Sequence, residues 1–323
     1  MRSFLVTVDT EGDNMWRKLY SKSAIQHRIT TKNAEYLERF QYLCESYGLR
    51  PTYFVNYEMS QAAPFVEMAR DGLRRGTLEI GMHMHAWSCP PYYELKPSGW
   101  NSGNPYIGEY PLRVIMKKVD YLTKQLQDVF QTSITSHRSG RWYLNRKYLW
   151  VLRELGYHAD CSVTPGVDWS GNPGLTAGSR GTDYQGYCTG SYEISLLRPY
   201  RRGRSGIWEI PVSTVKDGSG TLQWLRPNGK NLQEMRSVVS LKEKAGEDYI
   251  EFMIHSSELM ERGSPNFLTK EAIDNLYRDM DGLFEFASKI YQGTTVKEYV
   301  EQRLRGKVLE YSHNDSRIGR RRR

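Results

Sequence analysis

The sequence predicts a single α/β domain built as a barrel of parallel strands, and three observations predict it. Short β-rich runs alternate with longer helical patterns along the chain, the signature of parallel strands joined by helical crossovers. No stretch rich in Pro, Gly or Ser divides the 323 residues into balanced halves, and barrels of this class run past about 200 residues as one domain. Residues able to do hydrolytic chemistry sit just past the ends of several strands, where β/α barrels build their active sites.

The first strand is predicted at 4–8, an apolar run ending in the acidic cluster Asp9, Glu11 and Asp13. A helix follows over 33–47. Next come a strand at 52–55, whose β-branched and aromatic side chains favour a pleated surface, and a helix over 62–75. A strand at 78–81 leads to His83 and His85. Helix 112–130 carries the helical apolar period towards a strand at 133–136. Helix 145–155 starts on an N-capping Asn145 and stops before Gly156, placed to take the C-cap. Strands at 159–163, 206–212 and 249–254 and helices at 231–244, 270–290 and 296–305 complete the pattern, with Thr269 as a further N-cap. The stretch 166–204, crowded with Gly, Arg, Tyr and Ser, reads as a long loop or β excursion. A connection of that length in a compact domain is usually functional, here a substrate wall. The barrel domain is expected over 1–312, followed by a basic, disordered tail at 313–323.

The formal charge is +8, but 313–323 holds five Arg against one Asp, so half of the excess lies in the tail. A terminal Arg run among Asn, Ser and Gly reads as solvated chain. With no RNA-binding or zinc-finger signature, nucleic acid is discounted as a partner. Four cysteines without a C-x-x-C pairing fit reduced thiols. No apolar run is long enough to span a bilayer, and the short N-terminal apolar run is neither signal peptide nor anchor. The expectation is a cytoplasmic protein without a transmembrane segment. The 23 Tyr and 8 Trp offer flat amphipathic faces that suit sugar rings and serve equally well as partly wet core.

If the backbone stays extended through the acidic cluster, Asp9, Glu11 and Asp13 project to one side; the competing reading is a solvated turn around Gly12. His83 and His85 share the same spacing of two, which suits chelation of one divalent ion, against two unrelated, partly buried histidines. One carboxylate and two neutral imidazoles with open positions left over fit a hydrolase that needs a Lewis acid. Zinc is favoured, with iron, cobalt or manganese as alternatives. Asp9 and His255 remain free to serve as general base and general acid. Arg138, Arg141, Asp160 and His255 belong to later strand ends and are expected at the same mouth. Trp87, Trp100, Trp142 and Trp169 are candidate sugar-stacking faces, and Arg141 a further substrate contact. Arg198, Arg201, Arg202 and Arg204 match diphosphate geometry, with a solvated loop as the alternative.

In order along the chain, Val6-Thr7-Val8-Asp9-Thr10-Glu11-Gly12-Asp13, Glu79-Ile80-Gly81-Met82-His83, His137-Arg138-Ser139-Gly140-Arg141-Trp142, the stretch around Asp160 and Phe252-Met253-Ile254-His255 resemble the motifs of NodB-type polysaccharide deacetylases. The likeness is to the branch associated with lipopolysaccharide O-antigen and other surface-glycan clusters. The resemblance implies a deformed (β/α)7 barrel, a divalent metal and N-deacetylation of a carbohydrate, which could be nucleotide- or polyprenyl-linked. It implies Asp9 as base, Arg138 as its orienting partner, His255 as acid, and a backbone amide in 140–142 for the oxyanion. Two positions depart from the family pattern. The acid directly after the base is Thr10 here, so Glu11 or Asp13 takes the metal role. The position four residues after the first histidine is Trp87, so His85 substitutes. Two other readings compete: a different metal-dependent amidohydrolase, and a non-catalytic glycan-binding protein on a decayed barrel.

Overall fold

The structure, a computed structural model, describes residues 2–13, 29–96 and 103–305. Trp100 and the basic tail lie outside the described residues. The strands are β1 (Ser3–Thr10), β2 (Thr52–Val55), β3 (Glu79–Met84), β4 (Ser136–Ser139), β5 (Ala159–Asp160), β6 (Tyr192–Glu193), β7 (Trp208–Glu209), β8 (Thr214–Lys216), β9 (Leu222–Trp224), β10 (Tyr249–His255) and β11 (Gln292–Gly293). The helices are α1 (Leu37–Ser46), α2 (Ala63–Arg75), α3 (Leu112–Phe130), α4 (Arg146–Glu154), α5 (Leu232–Lys244), α6 (Lys270–Ala287) and α7 (296–305).

The strands β10-β1-β2-β3-β4-β5-β7 pair in that order, all parallel, and β6 adds to β7 antiparallel. This is a deformed (β/α)7 barrel. Its two ends meet without a regular ladder. Instead, Ser213 N–H reaches Glu251 O (3.3 Å), Ser213 Oγ accepts from Glu251 N–H (2.9 Å) and Leu225 O accepts from Met253 N–H (3.3 Å).

Alternation along each strand sorts side chains between two cores. Phe4, Val6 and Val8 of β1 and Ile250, Phe252 and Ile254 of β10 face the helices. Leu5, Phe54, Ala159, Cys161, Trp208 and Tyr249 fill the barrel interior. Strands buried on both faces are what parallel sheets require, and all eight residues of β1 are buried. Gly81 follows from this packing: a Cβ there would lie 2.6 Å from both the Phe54 ring and Ser136 Oγ.

Helix α7 closes the end of the barrel opposite the mouth, with Val296, Tyr299 and Val300 in the inner core. Its first turn is held by side chains at the strand starts. Glu79 Oε2 accepts from Lys297 N–H (2.9 Å), and Thr52 Oγ1 from Val296 N–H (3.1 Å). A carboxylate suits orphan donors at a helix N-terminus.

The expected N-caps appear: Asn145 accepts from Tyr148 N–H (2.8 Å) and Thr269 from Ala272 N–H (3.2 Å), while Gly156 takes φ +82°. The strand expected at 133–136 lies three residues later, at Ser136–Ser139. Its polar Ser-His-Arg-Ser sequence hides the strand, because each side chain is buried by a specific partner rather than by apolar packing. The runs at 159–163 and 206–212 keep only two ladder residues each, Ala159–Asp160 and Trp208–Glu209.

Candidate active site

The mouth is a cleft of about 500 Å³ lined by Asp9, Glu11, His83, His85, Trp87, Trp142, Trp169, Arg226 and His255, with the loop segments 103–106 and 171–173 as walls. Adjacent strands deliver the polar groups at one level: Asp9 pairs in register with His255, and His83 with Arg138.

Glu11, His83 and His85 converge. His85 Nε2 lies 2.6 Å and His83 Nε2 3.2 Å from Glu11 Oε2, and the two Nε2 atoms are 3.0 Å apart. All three side chains are buried. His83 Nδ1 faces the Arg138 carbonyl at 3.0 Å; a carbonyl only accepts, so Nδ1 carries the proton and Nε2 presents its lone pair. Two imidazole nitrogens and a carboxylate oxygen aimed at one point repel unless a proton or a cation lies between them. The donor set of two imidazoles and one carboxylate fits a catalytic zinc-type site. Burial pushes His83 down, but the Asp9 and Glu11 charges prevail and raise it; burial also pushes His85 down, and there it wins. Burial works against ionised Glu11 as well, but the histidines hold it well below the usual carboxylate range.

Local structure fixes Glu11. Its N–H donates to Ser256 Oγ (3.2 Å), and its carbonyl accepts from Ser256 Oγ (3.0 Å) and Asn33 Nδ2 (2.8 Å). Asp13, the other acid considered for the metal, falls outside this cluster. Its two oxygens accept from Thr30 N–H (2.9 Å) and Thr30 Oγ1 (2.6 Å), and its backbone bridges Thr30. The structure therefore gives Asp13 a loop-closing contact and leaves Glu11 with the histidines.

Beneath the cluster, Arg138 spans the barrel interior, fully buried. It donates to Asp9 Oδ1 (2.8 Å), Thr7 Oγ1 (2.9 Å) and Cys161 O (2.8 Å), and pairs with Glu251. Its guanidinium lies 4.8 Å from the Phe54 ring centroid and 5.2 Å from that of Trp142. Burial would raise Asp9, yet Arg138, with His83 and His255, holds it below its ordinary value. Burial raises Glu251 to about 7 against the lowering charge of Arg138.

His255 Nε2 stands 3.6 Å from Asp9 Oδ2 and 4.0 Å from Glu11 Oε1. Its Nδ1 lies 3.3 Å from Glu258 Oε2, and Glu258 also accepts the His255 backbone N–H (2.9 Å). Arg226 Nη2 donates to Glu258 Oε1 (2.8 Å) and sits 3.2 Å from the same ring nitrogen. Burial opposes the charge on Glu258, but Arg226 outweighs it and holds the carboxyl down at about 2.

The turn Gly140–Trp142 presses on the Glu11–His83–His85 cluster: a Cβ on Gly140 would lie 2.5 Å from His85 Nδ1. Arg141 and Trp142 both take positive φ (58° and 55°), which costs about 1–2 kcal/mol per residue. The surroundings enforce it. Arg141 donates to the carbonyls of Asn104 and Pro173 and stacks on Tyr106 (3.9 Å), while Tyr184 Oη donates to Trp142 O (2.7 Å). Arg141 thus tethers both cleft walls. Trp87 packs edge-on to His85 (4.5 Å between centroids), and among the described residues its buried Nε1 has no hydrogen-bond partner.

One expectation is corrected. Asp160 does not reach the mouth: it faces the helices, with Oδ1 2.6 Å from His137 Nδ1, because odd residues of this segment face inward and even ones outward. Arg198, Arg201, Arg202 and Arg204 do not line the cleft. Antiparallel β6 carries the chain to the opposite end of the barrel before they occur. Sequence reasoning missed Glu251, Arg226, Glu258, Asn33 and Ser256. A lone carboxylate inside the apolar run Tyr249–His255 is the signal that could have found Glu251.

No family model matches the sequence, and no curated protein matches it. Among solved structures, a protein of Mycobacterium smegmatis assigned as a polysaccharide deacetylase matches over 95% of this chain and 92% of its own, with 16% identity and a TM-score of 0.58. A Parabacteroides distasonis protein assigned as a glycoside hydrolase/deacetylase matches over 93% and 70%, with 8% identity and a TM-score of 0.63. The 4-α-glucanotransferase of Thermococcus litoralis matches over 93% of this chain but 38% of its own, with 10% identity and a TM-score of 0.52. At such identities the likeness is one of fold: the chain has the deformed (β/α)7 barrel of solved proteins assigned as polysaccharide deacetylases.

Proposed function

We propose that the protein is a metal-dependent N-deacetylase that removes an acyl group, acetyl first of all, from an amino sugar. The observation that carries this reading is one cleft holding a buried Glu11–His83–His85 cluster between Asp9, backed by Arg138, and His255, backed by Glu258. A divalent ion held by Glu11, His83 and His85, zinc by its preference for such donors, supplies Lewis-acid polarisation of the acyl carbonyl.

The chain's own residues do the rest. Asp9, kept ionised by Arg138, accepts a proton from the water whose oxygen bonds to the acyl carbon. A backbone N–H of the strained 140–142 turn, whose Gly140 packs on His85, would help hold the resulting oxyanion. His255 delivers a proton to the amide nitrogen as the C–N bond breaks, releasing the acid and a free amino sugar. Trp87, Trp142 and Trp169 offer faces for the sugar ring. The motif resemblance supports a surface glycan such as lipopolysaccharide O-antigen as the context, assembled in the cytoplasm, with a nucleotide- or polyprenyl-linked sugar as substrate. No helix among the described residues is long and apolar enough to cross a membrane.

Another amidohydrolase would bring further His and Asp ligands, whereas the described residues offer this one three-residue group. The test is acetate release from N-acetylated nucleotide sugars and glycan oligomers with zinc supplied. Asp9→Asn and His255→Ala should each lose about 10²-fold or more. A near-normal rate in either variant overturns its role, and no release from any substrate, with zinc bound, favours a glycan-binding protein.

A further inference from the structure

The loop after β6 is a basic face that the cleft does not use. Residues 194–206 contain no acid, and Arg198, Arg201, Arg202 and Arg204 are all exposed. Among the described residues none of the four makes an ion pair, and no acid of the loop itself offsets them. The loop is built. Arg198 N–H donates to Ser195 O (3.1 Å), Arg201 N–H to Arg198 O (2.8 Å) and Gly203 N–H to Glu193 O (2.8 Å), and Tyr192 Oη donates to Pro199 O (2.8 Å).

Two apolar side chains stand among these charges: Leu197 is 71% exposed and Tyr200 42%. Arg303 on α7 adjoins Arg202, and burial together with that neighbouring charge lowers it. Because β6 runs antiparallel to β7, all of this lies at the base of the barrel, opposite the cleft.

We propose that this loop docks the base of the barrel on an anionic lipid surface, with the four arginines at the headgroup phosphates and Leu197 and Tyr200 entering the interface. Unpaired arginines gain from an anionic leaflet, and a Tyr and a Leu between them match the amphipathic boundary that such anchors occupy. A soluble phosphate or a nucleic acid would use the arginines and leave Leu197 idle. The cleft then opens away from the lipid, into water. None of this rests on the deacetylase reading.

The experiment is co-sedimentation of the full chain with vesicles of phosphatidylcholine alone or mixed with phosphatidylglycerol. Wild type should bind the mixed vesicles only. Combined Arg198→Ser, Arg201→Ser, Arg202→Ser and Arg204→Ser should weaken binding by on the order of 10³-fold. Leu197→Ser with Tyr200→Ser, which leaves the charge unchanged, should weaken it about tenfold. Thermal melts at the wild-type temperature show that both variants are folded. Vesicle binding that both variants keep overturns the proposal. So does a loss confined to the arginine variant when inorganic phosphate or an RNA duplex competes with the vesicles, because that outcome makes the loop a polyanion site.

Discussion

Two buried histidine–carboxylate clusters lie on the two faces of one sheet, and their contact distances are nearly the same. On the helix side, His137 Nδ1 is 2.6 Å from Asp160 Oδ1, its Nε2 is 2.7 Å from Tyr148 Oη, and Ser162 Oγ donates to Asp160 (2.8 Å). Each ring nitrogen has a partner of suitable polarity. At the mouth, His85 Nε2 is 2.6 Å from Glu11, but His83 Nε2 is there too, and His85 Nδ1 finds no hydrogen bond among the described residues. A short His–carboxylate distance therefore identifies neither cluster. What separates them is donor–acceptor bookkeeping at the imidazoles: in the first both His137 nitrogens are partnered, while the second leaves lone pairs converging on a point beside a cleft.

The contrast breaks most sharply under substitution. His85→Ala should lower the proposed deacetylation by about 10³-fold or more while leaving the apo melting temperature nearly unchanged, since it removes a repelling donor. His137→Ala should do the reverse, costing about 2–4 kcal/mol through a cavity and an orphaned Asp160 with turnover per folded molecule retained; paired melts and assays decide it. Chelation acts next. Metal at a thousandfold excess over its Kd should stabilise wild type by about 4 kcal/mol and His85→Ala far less, read as melting shifts with and without zinc. An equal zinc shift in His85→Ala would show that the ion binds elsewhere.

Glu251, on the same inner face as the mouth cluster, sharpens the comparison through pH. Its folded value, about 7, lies above the ordinary 4.5, so the folded form keeps a proton that the unfolded chain has released. That contribution is complete below about pH 4.5 and is lost as pH rises through 7, amounting to on the order of 3 kcal/mol. Glu251→Gln should remove the decline, measured by urea unfolding across this window. The same slope in variant and wild type would mean that Arg138 keeps Glu251 ionised throughout. The smallest effect is expected at Glu258→Gln, which loosens His255 without removing it. A fall in kcat of roughly tenfold, with KM little changed, is a fraction of what a general acid supplies.

The alternation of runs and the strand-end positions of Asp9, His83 and His255 were legible because apolar periodicity and chain order are local properties. So were the caps at Asn145 and Thr269, which act within four residues. β4 was misplaced because Ser136–Ser139 is held by long-range polar partners, with Arg138 reaching Asp9 and Glu251 across the barrel. The choice of Glu11 over Asp13 depended on Thr30, Asn33 and Ser256, and the backing of His255 on Arg226. None of these is near its partner in sequence, except that Glu258 lies three residues from His255. Asp160 misled because Ala159-Asp160-Cys161-Ser162 alternates, but in a strand buried on both faces alternation alone does not say which face is the interior.

The segment from Cys161 to Ile207 leaves β5, folds over the mouth so that Trp169 and Asn172 line the cleft, and returns along β6 to the base, where Leu197 and its arginines are exposed. A single insertion between neighbouring strands thus reaches both poles of the molecule. Exchanging that one stretch, with the strands and the Glu11, His83 and His85 side chains untouched, would alter the wall of the cleft and the basic face at the base together.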